Sequence, residues 1–426
     1  MTRLESHASV APDSGAVTAK AKLLFLSHRL PFPPHNGAAL RTLNIMRLLA
    51  RHYEIHALCF DRLDEASRKL TLASRIEQVA AYCSVEVFPI DQQHSRWRLM
   101  RDHALSLLTG RAYVHFVHAS RRYEHRLETL LREHEFAVVH LDSLDLVRML
   151  PLVAHLPCVV THHNVESALL HRRALAERSV WRRAYITLQA RLLRREELRA
   201  LPSVALNVAV SDGDAEELRR MSPDASVVVV PNGVDTDFFA PHASAEPTGC
   251  VCVGGTNYFP NRDALTWFTA EVVPELRRLG CVVDVTWVGR ASEREMREFD
   301  GHEGVRLTGY VDDVRPLIDR AACFIAPLRV GGGTRLKLLD AWSMGKAIVS
   351  TSLGCEGLRA RDGDNMLIRD DARGFAEAIA VVCADATVRR ALEHSARQTA
   401  LADYSWSILE PRMIEDYRRI TRRTGR

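Results

Sequence analysis

The feature that most constrains this chain is an alternation of short apolar runs with helical patterns, carried through twice and interrupted once. The first series holds KLLFLSH (from Lys22), YEIHALCF, SVEVFPI, FAVVHL, PCVVTHH and VALNVAVSD. The second holds CVCVGG (from Cys250), VVDVTWVG, GVRLTGYV, ACFIAPL and AIVST. Short apolar runs separated by helices build parallel sheets covered on both faces. Between the series, VVVVPNGVDTDFFAPHASAEPTG concentrates Pro, Asn, Gly and Ser, as an interdomain connection does. A chain of 426 residues also exceeds one ordinary core. The expectation is an α/β protein with two Rossmann-like domains facing a central cleft, residues 21–235 and 236–403. A disordered tail over 1–20 and a helix over 404–426 complete the division. Ligands of such sheets bind outside the carboxyl ends of the strands.

Composition narrows the class. Hydrophobic residues make up 47% and charged residues 26%, the balance of a folded globular chain. No apolar run approaches the roughly 18 residues of a membrane span, and the first twenty residues lack the apolar segment of a signal peptide. Nine cysteines without a Cys-x-x-Cys pair point to a reducing, cytoplasmic setting rather than a disulfide framework or a structural metal. A net charge of +4 is too modest to imply nucleic acid.

The stretch GGGTRLKLLDAWSMGK, from Gly331 to Lys346, reads as a loop running from a strand into a helix at the cleft edge. Gly331, Gly332 and Gly333 let backbone N–H groups approach a ligand, and Thr334 is placed to cap the helix. A helix N-terminus favours an anion, most often phosphate. Arg335 and Lys337 add fixed positive charge, and Asp340 lies on the same helix face as Lys337. Amides and cations for phosphate, with a carboxylate for hydroxyls, suit a nucleotide sugar. An ordinary glycine turn followed by an exposed Lys–Asp pair is the alternative. The loop is neither a Walker A sequence nor a GxGxxG fingerprint.

Further segments accompany it: SHRLPFPPHNGAALRTLNIMRLLA, VVTHHNVES, VVPNGVDTDFF, VGGTNYFPNRDALTWF and LGCEGL. As an ordered set they resemble the family 4 glycosyltransferases of the GT-B fold, in the bacterial exopolysaccharide and lipopolysaccharide sugar-transferase variant, over about residues 22–420. The resemblance implies retaining transfer from a nucleotide sugar without a metal held by an Asp-x-Asp motif, and no other cofactor. It places the donor mainly on the C-terminal domain and the acceptor, a saccharide or glycolipid, on the N-terminal one. It also implies that the last helix crosses back onto the first domain. The family's two motif glutamates, separated by seven residues, fall here on Gly332 and Asp340. The basic positions near the second-domain glycines fall on Thr256 and Arg262. His163 matches the histidine near the transferred sugar, with Glu166 close by. The implied catalytic set is His163, Lys337 and Arg335. The implied donor-binding set is Gly37, Arg262, Gly332, Gly333, Thr334, Asp340 and Glu356. His162 reads as structural, and the strings Asp212–Asp214 and Asp362–Asp364 read as a helix cap and a loop turn.

Residues 171–199 carry nine Arg against three Glu, with Trp181, Ala184, Tyr185, Leu188 and Leu192 at helical spacing. This is either a long helix packed on the first domain or a peripheral contact with an anionic membrane on its cytoplasmic face. The activity expected is transfer of a sugar to a saccharide or lipid-linked acceptor in exopolysaccharide or cell-envelope glycan synthesis. A nucleotide-sugar epimerase and a non-catalytic sugar-nucleotide-binding protein are the rivals.

Overall fold

A computed structural model describes residues 20–34, 36–63, 67–242, 247–301, 304–331 and 333–424. The tail expected over 1–20 lies outside them apart from Lys20, and so does Gly332.

The first series of apolar runs forms β1 (Lys22–Ser27), β2 (Glu54–Asp61), β3 (Ser84–Pro89), β4 (Val138–Leu141), β5 (Cys158–His162) and β6 (Leu206–Ala209), joined by β7 (Val227–Val229). The second forms β8 (Cys250–Val253), β9 (Val285–Val288), β10 (Val305–Leu307), β11 (Cys323–Ala326) and β12 (Ile348–Ser350), joined by β13 (Leu367–Ile368). Both sheets are parallel, in the orders β3-β2-β1-β4-β5-β6-β7 and β10-β9-β8-β11-β12-β13. In each, the order reverses beside the first strand, between β1 and β4 and between β8 and β11. A crevice opens at the carboxyl ends of the strands where helices on the two sides diverge. The run ahead of PNG reads as the start of a linker, yet it pairs with β6 as the edge strand β7. Its residues are all half-buried, so neither alternation nor full burial marks it.

Alternation along β1 builds both halves of the first core. Leu23 and Phe25 pack with Ile45 and Leu49 of the helix Gly37–Ala50, while Leu24 and Leu26 meet Tyr123 and Leu127 on the other face. All nine cysteines are free. The closing helix Trp406–Thr424 crosses back: Met413, Ile414, Tyr417 and Ile420 join the cluster of Leu23 and Phe25. Its Tyr417 hydroxyl lies 2.5 Å from His140 Nδ1.

The two chain crossings are clasped together. Val234 N–H donates to the Tyr404 carbonyl at 2.8 Å, and Val234 and Ser405 form a parallel bridge. Arg41 donates to the Val230 carbonyl at 2.6 Å and to Asn232 Oδ1 at 3.2 Å, fixing the outgoing strand to the first domain. Gly233 is required here, because a Cβ would stand 2.4 Å from the Trp406 ring. Since Ile414 is buried in the N-terminal core, Ile414→Ala should cost about 2–5 kcal/mol of unfolding free energy in urea titration. A loss below about 0.5 kcal/mol, the size of a surface change, would show the helix to be an appendage.

Candidate active site

The floor of the first crevice is made by polar residues at the ends of β1, β4 and β5. Asp142, one residue past β4 and 1% exposed, is the hub. Its Oδ2 accepts from Thr42 Oγ1 at 2.6 Å and Ser27 Oγ at 3.2 Å. His28 Nδ1 and His163 Nε2 stand 3.7 and 3.8 Å from the same oxygen, and His140 Nε2 lies 3.9 Å from Oδ1. Burial acts to raise the Asp142 carboxyl, but the facing histidines outweigh it and hold it well below the usual carboxylate range. Burial pushes His28 down to about 3, so it is a neutral imidazole at physiological pH. The atoms of His28, Asp142 and His163 lie within 4.8 Å of one another, a donor set able to hold a metal ion.

The facing wall comes from the second domain. The chain leaves β11 through Gly331 and Gly333, at φ +112° and +82°, a region closed to most side chains. Residue Arg335 occupies the cap position of the helix Leu336–Ser343 with no side-chain cap. Thr334 therefore does not cap this helix, contrary to the sequence expectation. The chain stays extended through Arg335, at φ −90° and ψ 92°, and Thr334 Oγ1 instead stands 3.0 Å from where a Gly357 Cβ would sit. The first helical amides thus carry no cap from the preceding side chain.

Lys337, in the first turn, is half-buried, and its Nζ donates to Asn261 Oδ1 at 3.3 Å. No carboxylate pairs with it among the described residues, and burial lowers its affinity for the proton. Burial likewise lowers Arg335, which lies near Tyr258 and Glu356. Asp340 is half-buried with no side-chain hydrogen bond or ion pair among the described residues, and burial raises it to about 7. Lys337 and Asp340 share the helix without forming the ion pair that their spacing allows. Two cations beside an uncapped helix start, with a carboxylate poised to ionise near neutrality, offer an anion site adjoining an acceptor for hydroxyls.

The walls meet across the cleft. A Cβ on Gly37, the first residue of its helix, would stand 3.3 Å from Leu336 Cδ1. One on Gly333 would stand 3.2 Å from Asn164 Oδ1, which brings the loop to the residue next to His163. Arg172 pairs with Glu356 at 2.5 Å, and Arg359 with Asp212 at 3.0 Å. A cavity of about 420 Å³ opens between the domains, lined by Asn164, Arg172, Asp214, Gly333, Thr334 and Glu356 among others.

Of the residues expected from the sequence, Gly333, Thr334 and Glu356 line that cavity; Gly37 meets Leu336 across the domains, His163 is next to the cavity-lining Asn164, and Arg335, Lys337 and Asp340 lie on or just before the helix that follows Thr334. Arg262 is turned to Glu295, 3.2 Å away, a carboxylate that also accepts from Thr256 at 2.7 Å. His162 bonds Asn207 at 3.0 Å in the core, and burial lowers it to about 4. Glu166, raised to about 7 by burial and the nearby Asp145, accepts from Asn164. Ser211 caps its helix through Asp214 N, while Asp362 and Asp364 are bound by Arg369 and Arg361. Asp142, His28, Thr42 and Arg172 were not singled out by the sequence as site residues, and Asn164 stood there only beside His163 at a strand end. His28 and Asp142 leave a trace as polar residues closing apolar runs, whereas Thr42 and Arg172 lie inside helices and leave none.

Residues 35–238 match the family model Glycosyltransferase Family 4, and residues 247–385 match Glycosyl transferases group 1. A stretch of 134 residues is 29% identical to an uncharacterized 44.6 kDa protein of the cps region of Klebsiella pneumoniae, covering 29% of this chain and 34% of that protein. A stretch of 108 residues is 33% identical to the lipopolysaccharide core biosynthesis glycosyltransferase LpsE of Rhizobium meliloti, covering 24% of this chain and 30% of the relative. The matches thus span about a third of each relative's own length. Among solved structures, Anabaena HepE in complex with UDP aligns over 92% of this chain and 98% of its own, at TM-score 0.64 and 16% identity. Sucrose-phosphate synthase from Thermosynechococcus elongatus aligns over 94% and 99%, at TM-score 0.64 and 14% identity. At these identities the likeness is one of fold, the two-domain GT-B arrangement.

Replacing Asp142 with alanine removes the charged acceptor of Thr42 and Ser27, whose hydroxyls keep only the carbonyls of Ala38 and Arg29 at 2.9 and 2.7 Å. A hydrogen bond to a charged group is worth about 1.5–3 kcal/mol, so denaturant titration of Asp142→Ala should show a loss of at least that size. An unchanged midpoint would remove Asp142 from the role of hub.

Proposed function

The chain belongs to the glycosyltransferases of the group 1 and family 4 type, and from that premise we propose that it moves a sugar from a nucleotide-sugar donor to a saccharide or lipid-linked acceptor with retention. The setting is exopolysaccharide or cell-envelope glycan synthesis, on the cytoplasmic side of the membrane. The observation that carries this reading is Lys337: a half-buried ammonium without a carboxylate partner among the described residues, at the uncapped start of the helix that follows the cavity-lining loop of Gly333 and Thr334. A site of that kind calls for an anion. Relatives of this fold are described in complex with UDP and with UDP-glucose, donors that present a diphosphate.

In the reaction, the bond between the anomeric carbon and the diphosphate breaks, and negative charge grows on the departing oxygen. Lys337, Arg335 and the free helix amides are positioned to stabilise it. The Asp340 carboxylate accepts from ribose hydroxyls. His163, steadied by Asp142, orients the sugar, and the acceptor enters over the first-domain crevice. With retention, the acceptor oxygen bonds the anomeric carbon on the face from which the phosphate departs, and its hydroxyl proton passes to the departing phosphate oxygen. Both Asp-x-Asp strings are occupied by caps and arginine pairs, so the diphosphate charge falls to the cations rather than to a metal held by them. No helix among the described residues is long and apolar enough to cross a membrane; residues 171–199 supply the contact with an anionic membrane surface. The binding-protein reading keeps one specific support, Gly332 at the position of the first motif glutamate.

The test is release of nucleoside diphosphate from a panel of UDP-, GDP- and ADP-sugars, with and without a membrane glycolipid extract. Acceptor-stimulated release from one donor is expected, with Lys337→Ala lowering kcat about 10²–10³-fold and raising donor Kd by a much smaller factor. Saturable donor binding without release or transferred product would move the assignment to a binding protein. Epimerised donor without acceptor would move it to an epimerase.

Asp340 supplies a pH signature. Raised to about 7 from the ordinary 3.8, it is protonated below neutrality and ionised above. The ionised form accepts from ribose hydroxyls more strongly than the protonated one. Affinity for UDP-glucose, whose diphosphate does not titrate in this range, should therefore rise through pH 7, by at most about tenfold per unit below the midpoint. In Asp340→Asn the profile should be flat and weak throughout. An unchanged slope in that variant would assign the titration to another group.

A further inference from the structure

Residues 171–199 form not one helix but two, Glu166–Ala176 and Val180–Ala200, broken at Glu177–Ser179. The apolar stripe expected to pack is split as well. Leu192 is buried, but Trp181 is 87% exposed. Beside it runs the helix Arg96–Thr109, whose Trp97, Met100, Ala104, Leu107 and Leu108 share one helical face and are all exposed, Trp97 and Met100 by about 70% and Leu108 by 82%. Monomeric proteins rarely leave so continuous an apolar face to water.

Between these helices lies a cavity of about 660 Å³, lined by Ala112, Val114, Leu170, Ile186 and Leu193 with Trp181 among its rim residues. Its neutral polar groups are already engaged, among themselves or with neighbouring side chains. His103 Nδ1 lies 2.5 Å from the Tyr185 hydroxyl. Gln189 donates to Ser106 Oγ at 2.9 Å and accepts from Tyr113 N at 2.8 Å. The Tyr113 hydroxyl donates to Gln92 at 2.8 Å. The walls therefore offer few free hydrogen-bond partners, which suits hydrocarbon and not a sugar. Arg173 and Arg182 line the same cavity without a carboxylate partner among the described residues, and the one carboxylate in its lining, Glu177, is engaged by Ser179 N at 2.9 Å; Arg96, Arg178 and Arg183 are exposed on the same helices and their connection.

We propose that this face docks on an anionic bilayer and that the cavity takes one hydrocarbon chain of a lipid whose phosphate lies on the rim arginines. Apolar burial and cationic attraction then act together, as in interfacial helices. The proposal names the partner on the acceptor side and takes its biological sense from the transferase reading, though the binding is measured independently of turnover.

The full chain should co-sediment with phosphatidylglycerol vesicles and not with phosphatidylcholine vesicles. Trp181→Glu together with Leu108→Glu, both at exposed positions, should weaken that binding at least tenfold with circular dichroism unchanged. Saturable 1:1 binding of monomeric cis-parinaric acid should be lost in Ile186→Trp, which fills the cavity. Equal binding to both vesicles, or none, or insensitivity to the glutamate pair, would overturn the docking surface. Parinaric acid binding that is absent or survives Ile186→Trp would overturn the cavity assignment. Nucleoside diphosphate release from the UDP-, GDP- and ADP-sugar panel on the same preparations separates the two readings: its absence with every donor counts against the transferase, and loss of lipid binding alone counts against this surface.

Discussion

The arrangement depends on one small contact, the pairing of Val234 with Ser405 where the chain leaves the first domain and returns to it. Each Rossmann-like sheet would generate its own crevice without help, because the strand order reverses beside β1 and β8. Neither crevice alone is a site for transfer between two substrates. Clasping the crossings side by side sets the two crevices face to face. Gly233 without a side chain, Trp406 across it and Arg41 reaching the outgoing strand make the clasp rigid.

The clasp is connected to the chemistry through a chain of polar contacts. Tyr417, on the helix that follows Ser405, bonds His140. His140 faces one oxygen of Asp142, and the other oxygen faces His28 and His163. A buried carboxylate of this kind is costly unless surrounded by donors, and the ends of β1 and β5 with Thr42 supply them. The closing helix is therefore structural in its packing while also steadying the floor of the site.

The sequence discloses the elements well because parallel strands buried on both faces leave continuous apolar runs, as KLLFLS and CFIA do. β7 carries such a run, but its valines lead straight into the turn residues PNG and are only half-buried, and β13 is only two residues long. The second-domain wall is legible for a similar reason: Gly333, Arg335, Lys337 and Asp340 are neighbours in the chain, so a local pattern carries them. The first-domain floor is not local. Ser27, Thr42, Asp142 and His163 come from four separate segments, and only the adjacency of β1, β4 and β5 brings them together. Asp142 in HLDSL has the look of a turn residue. The failure at Thr334 is of another kind, since a threonine before a helix satisfies every capping rule until the backbone at Arg335 is known to be extended.

The two ends of the interdomain contact differ in strength, and the difference bears on access. At the clasp the contacts are buried backbone hydrogen bonds and aromatic packing. Across the cleft they are the ion pairs Arg172–Glu356 and Arg359–Asp212, with about a third to three-fifths of each side chain in water. Exposed pairs contribute about 0–1 kcal/mol each and weaken with salt. The closed cleft is thus held lightly at its mouth and firmly at its hinge. A change in salt or charge at the mouth therefore acts on the pairs Arg172–Glu356 and Arg359–Asp212, while the buried bonds of Val234, Tyr404 and Ser405 keep the register of the two walls.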